Sequence, residues 1–203
     1  FQVHMPAPEG FVLQPGTEFE GCQWIRIPDS VTETTYVTSV DLRANSGTHH
    51  IILWEDQPDS GPAAEPTAFD ADDSLCANDF GLKSFRIGAQ DADFVQSLPD
   101  NVSCTIEPGK VFGFNVHYTN PFNVPIQPEV WVNFNGTATP TAREAADIFP
   151  GDLSFSVPPG TIGTGNLVSY EYPWSWPGCF FFLTSNMHRR GTEFKAWTSK
   201  PSS

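Results

Sequence analysis

Short runs of alternating apolar and polar residues fill most of this chain, separated by proline, glycine and Asn-Ser-Gly signals. Glu18–Ile27 sets Phe19, Trp24, Ile25 and Ile27 among polar residues, and Tyr36–Leu42 alternates with Tyr36, Thr38, Val40 and Leu42 on one side. A period of two marks a strand with one face on a core. Ser46-Gly-Thr-His-His-Ile-Ile-Leu-Trp54 leaves a turn and becomes an apolar run; Val111–Tyr118 and Val130–Phe134 are runs of the same kind. Lys83–Ile87, Asp93–Leu98 and Ser103–Ile106 predict shorter strands or edges. Val3–Thr17 is extended but broken by Pro and Gly, and Glu55–Asp79 is a long loop that Cys76 would anchor.

A single stretch has helical character, Thr139–Ile148, bracketed by Pro140 and Pro150, which predicts a connector. Beyond it, Gly151–Val157, Asn166–Tyr172, Gly178–Thr184 and Glu193–Trp197 predict a second set of strands. Many short strands with almost no helix indicate an all-β protein, a jelly roll or β-sandwich. The expected division is a complete first domain over residues 1–139, a connector over 140–149 and an incomplete second jelly-roll-like domain over 150–203. A stretch of about 54 residues is too short to bury a separate core of that type.

Charge narrows the partners. The formal net charge of −14 disfavours nucleic acid and anionic membranes, which are bound through Lys and Arg. No run approaches the roughly 20 apolar residues of a membrane span. Four widely spaced cysteines, Cys22, Cys76, Cys104 and Cys179, with no C-x-x-C pair, predict two disulfides and an oxidising compartment. Three pairings satisfy that count. The expected location is secreted, periplasmic or at the cell surface. Asn101-Val-Ser and Asn135-Gly-Thr are N-glycosylation sequons, relevant in a secreted eukaryotic protein.

The candidate chemistry lies in five histidines, His4, His49, His50, His117 and His188, because two of them are adjacent on one strand. Neighbouring strand residues point to opposite faces, so His49 and His50 reach one metal only if the strand twists or bulges there. His117, on a second apolar strand, supplies a third imidazole. Three neutral nitrogens suit copper, and with a bound water they suit zinc. Asn115 and Tyr118, close to His117 in sequence, are candidates to support the ligands from behind.

Several segments together resemble the copper type II, ascorbate-dependent monooxygenases, the group of peptidylglycine α-hydroxylating and dopamine β-monooxygenases, especially their bacterial relatives. They are Cys22-Gln-Trp-Ile-Arg-Ile-Pro28, Thr48-His-His-Ile-Ile-Leu-Trp54, Phe114-Asn-Val-His-Tyr-Thr-Asn-Pro121, Pro158-Pro-Gly160 and Leu183-Thr-Ser-Asn-Met-His-Arg-Arg-Gly-Thr-Glu-Phe194. The likeness runs from about residue 8 to the end of the chain. It implies two jelly-roll domains, each carrying one copper, facing each other across a cleft. It assigns His49, His50 and His117 to the electron-delivering copper and suggests that Cys22 pairs with Cys76. Residues 150–203 match the opening of the second domain, where the family's catalytic copper is held by a His-x-His pair and a later methionine. Here that pair is Asn186-Met187-His188, with asparagine in place of the first histidine. Asparagine is a poor copper ligand beside imidazole, which leaves His188 and Asn186 as a remnant of the catalytic site.

Three functions are compatible with this pattern. The first is an extracytoplasmic copper-binding or electron-relay β-sandwich with a degenerate catalytic site. The second is the N-terminal part of an active monooxygenase, with ascorbate as reductant. The third is a structural or assembly subunit, a homo-oligomer or one half of a pair in which another chain completes the second domain by strand addition. Loss of a catalytic ligand weighs against hydroxylase activity for these 203 residues alone.

Overall fold

A computed structural model describes residues 1–55, 67–69, 84–146, 171–172, 177–183, 185 and 193–197. Among the described residues ten strands follow in order: β1 (Gln2–Met5), β2 (Glu18–Arg26), β3 (Thr35–Ala44), β4 (Thr48–Glu55), β5 (Ser84–Ala89), β6 (Asp93–Ser97), β7 (Val102–Ile106), β8 (Val111–Thr119), β9 (Val130–Thr137) and β10 (Arg143–Glu144). They form two sheets packed face to face, a β-sandwich. The larger runs β1-β9-β3-β7-β10, with β6 also paired to β3; the smaller runs β2-β8-β4-β5.

The alternation in the sequence explains the layering. On β8, Phe112, Phe114, Val116 and Tyr118 point inward; on β4, Ile51 and Leu53 do the same. They meet Val37 and Leu42 of β3, Val130, Val132 and Phe134 of β9, and Val3 and Met5 of β1. Phe112 and Phe134 stack across the sandwich with ring centroids 5.3 Å apart. Truncating either ring would cost about 3–5 kcal/mol. The intervening residues of the smaller sheet face outward. Trp24, Ile52, Trp54 and Val111 make a second buried cluster there. Gly113 permits it, because a Cβ at this position would stand 2.8 Å from the Trp24 ring.

Eight of the ten strands match sequence expectation, and two do not. β1 was hidden in a stretch broken by Pro and Gly; it pairs with β9 over four residues, with Val3 and Met5 buried. The expected helix over Thr139–Ile148 is corrected: no helix occurs among the described residues, and Arg143–Glu144 instead pairs parallel with β7. The Thr141 and Ser103 hydroxyls meet at 2.7 Å, and the Ala145 amide donates to the Ser103 carbonyl at 2.8 Å. These bonds take up polar groups that a helix would have turned inward on itself. No described helix is long and apolar enough to cross a membrane.

Of the second strand set, Gly151–Val157 and most of Asn166–Tyr172 lie outside the described residues. The described parts of Gly178–Thr184 and Glu193–Trp197 are not strands, a second correction. Phe180–Leu183 is exposed, with Phe182 touching Phe94 at a centroid distance of 6.0 Å. An apolar run alone does not make a strand. The expected pair of disulfides is also corrected. Cys22 is disulfide-bonded, and its expected partner Cys76 lies outside the described residues. Cys104 and Cys179 are thiols. Cys104 is half-buried on β7, lining a small space between the sheets, whereas Cys179 is exposed. Asn101, in a turn with φ of 61°, and Asn135 are both exposed.

Candidate metal centre

The two adjacent histidines are brought together by an irregularity in the ladder. Thr48 pairs with Tyr118, and the next pair is His50 with His117, so two steps on β4 match one on β8. His49 is the extra residue of a β-bulge, and the bulge re-aims its side chain. Gly47 prepares the turn before it. Its φ is +97°, and a Cβ there would come 2.8 Å from the Thr119 carbonyl oxygen. The Gly47 carbonyl accepts from the Thr119 amide at 2.7 Å, tying the entry of β4 to the end of β8.

The result is one cluster on the outer face of the smaller sheet. One ring nitrogen from each of His49, His50 and His117 lies within 4.8 Å of the others. Their ring centroids stand 4.7–5.6 Å apart. His50 and His117 are buried, and His49 is half-buried. Nδ1 of His49 is 3.4 Å from Nδ1 of His50. That is long for a hydrogen bond. It is close to the separation of two nitrogens that each sit about 2.0–2.1 Å from one tetrahedral ion, which is about 3.4 Å.

A chain of polar contacts fixes the His50 ring. Its Nε2–H donates to Asn115 Oδ1 at 2.8 Å, and Asn115 Nδ2 donates to Glu20 Oε1 at 3.2 Å. With Nε2 carrying the proton, Nδ1 of His50 presents its lone pair toward His49. Burial pushes the His50 pKa below the ordinary imidazole value; the Asn115 bond and Glu20 pull the other way, and His117 and His49 add to the lowering. The ring is therefore held neutral, the form that binds metal.

Strand register puts Glu20, His117 and His50 side by side across β2, β8 and β4. Glu20 Oε1 stands 3.6 Å from His50 Nε2, and Glu18 Oε2 stands 3.8 Å from His117 Nε2. These two carboxylates were not singled out from sequence. The available signal was their spacing, two apart on a strand and hence on one face. What was missing was the register that sets that face beside the histidines.

Asn115, expected behind the ligands, is fully buried and bonds His50. Tyr118 points the other way, into the core, and its hydroxyl donates to the Glu129 carbonyl at 2.9 Å. Burial raises its pKa to about 12. It braces the backbone near the bulge from the core side. His4 is apart from the cluster, stacked on Trp131 at 4.9 Å. Asn186 and His188 lie outside the described residues.

No protein-family model matches this chain, and no curated protein matches it. The donor set of three imidazoles fits a copper or zinc ion, and nothing in it selects between them.

Proposed function

We propose that this chain is an extracytoplasmic copper-binding β-sandwich whose His49, His50 and His117 form an electron-transfer site related to that of the ascorbate-dependent copper monooxygenases. The observation that carries the metal part is the bulge that gathers three imidazoles, two with Nδ1 atoms 3.4 Å apart. The choice of copper rests on the sequence resemblance around Thr48–Trp54 and Phe114–Pro121. The bonded Cys22 fits an oxidising compartment.

A copper ion would supply a one-electron couple at this site. The chain's own residues set the conditions for it. His50 is kept neutral by burial and kept in one tautomer by Asn115. His49 and His117 complete the donor set from the bulge and from β8. Eight of the nine β8 residues are buried, so the His117 ring is carried by the sandwich rather than by a loop.

Copper titration of the metal-free protein, followed by electron paramagnetic resonance before and after ascorbate, tests this reading. The expected result is one type II cupric signal per chain that ascorbate abolishes. His117→Ala should remove the signal and weaken affinity by more than the ten- to hundredfold typical of outer partners. Stoichiometric zinc with no retained copper would overturn the copper assignment. No retained metal at all would overturn the site.

A further inference from the structure

We propose that Glu20 is a specificity-determining residue for the charge of the bound ion, making this centre favour a divalent metal over a monovalent one. The inference rests on the metal reading above and adds what the three imidazoles cannot supply. Neutral imidazoles bring no charge, so on their own they leave the balance between cupric and cuprous ions to geometry and softness. A carboxylate beside them interacts with the ion in proportion to the ion's charge, and therefore stabilises a 2+ ion about twice as strongly as a 1+ ion.

Glu20 is placed for that role by three independent contacts. It is the ladder partner of His117. Its Oε1 accepts from Asn115 Nδ2 at 3.2 Å and stands 3.6 Å from His50 Nε2. Asn115 thus touches both the ligand and the carboxylate, holding the charge against the outer edge of the His50 ring. The side chain of Glu20 is 43% exposed, which screens the effect but leaves it present. Glu18 is 75% exposed beside His117 and is screened further, so it serves as an internal control. Both residues lie on the outward face of β2, where replacing Glu by Gln leaves the core untouched.

The test compares Cu2+, Zn2+ and Cu+ affinities of the whole chain by competition against chromophoric chelators. Glu20→Gln keeps the shape and the oxygen that Asn115 bonds, and removes the charge. The expected result is a fall of about tenfold in both Cu2+ and Zn2+ affinity, with Cu+ changing by less than about threefold. Glu20→Asp should retain the preference for 2+ ions, and Glu18→Gln should change the ratio less than Glu20→Gln does. If Glu20→Gln weakens all three ions equally, or none of them, the inference is overturned while the metal site stands. If the unmodified chain binds none of the three ions, the site itself fails and the inference falls with it.

Discussion

At its far end β4 buries Glu55, only 2% exposed, against Arg86 of β5 and against Lys110, whose Nζ is 3.1 Å away. At its near end the same strand carries His49 and His50; Glu20 stands beside His50, and Glu18 beside the neighbouring His117 of β8. Both ends take polar groups out of water in the same sheet, with His49 and Glu55 six positions apart on one strand. One end supplies its counter-charges from the protein. The other gathers lone pairs and carboxylates, and so is suited to a cation from solution. A buried ionic group with protein partners is a structural arrangement. A largely buried cluster of three imidazoles under a negative rim has the geometry to hold a metal ion.

The largest test of that contrast is at the closed end. Glu55→Gln leaves Arg86 and Lys110 without their shared carboxylate. It should cost about 3–5 kcal/mol in urea unfolding while metal affinity stays unchanged. A matching loss of metal affinity would show that the two ends are not separable.

A smaller effect is expected at Tyr118, which backs the histidine end from inside the core. Its folded pKa, raised to about 12, exceeds the ordinary phenol value of 10.0. The protonated form is therefore the one that folding favours. This contribution is fully present below pH 10 and is lost as pH rises through 12, amounting to about 2–3 kcal/mol. Tyr118→Phe should flatten that alkaline loss in thermal unfolding between pH 10 and 12. At neutral pH it should cost about 1 kcal/mol for the lost bond to the Glu129 carbonyl.

Below the alkaline loss at Tyr118 in size, Gly47→Ala should cost about 1–2 kcal/mol by thermal unfolding. Position 47 has φ of +97°, and the added methyl meets the Thr119 carbonyl and the Ile126 side chain. Because the turn feeds the bulge, this variant should also lower metal affinity, unlike Glu55→Gln. Unchanged affinity would mean that the bulge is set by β4 and β8 alone.

Of this contrast, the histidine end was legible in the chain before its fold was known. Runs such as Val111–Tyr118 have a period that a strand must satisfy, and an adjacent histidine pair on a strand demands a bulge if both rings are to converge. Glu18, Glu20 and the Glu55–Arg86–Lys110 group were not legible. Their meaning depends on which residues oppose them across neighbouring strands, and register is a property of pairs of strands. The helical pattern over Thr139–Ile148 misled for a related reason. A short propensity signal lost to backbone and hydroxyl bonds offered by β7, some 40 residues earlier (roughly a whole sandwich edge away in sequence).

The bulge at His49 has a consequence for how the metal and the fold are coupled. Two of the three donors come from one dipeptide, so the His49–His50 pair can chelate an ion even in a chain that has lost its sheets. Affinity for the unfolded chain subtracts from the stabilisation that a ligand confers on the folded one. The rise in melting temperature on loading should therefore understate the true affinity. His117, which joins the pair only through the fold, is the donor that converts binding into stability.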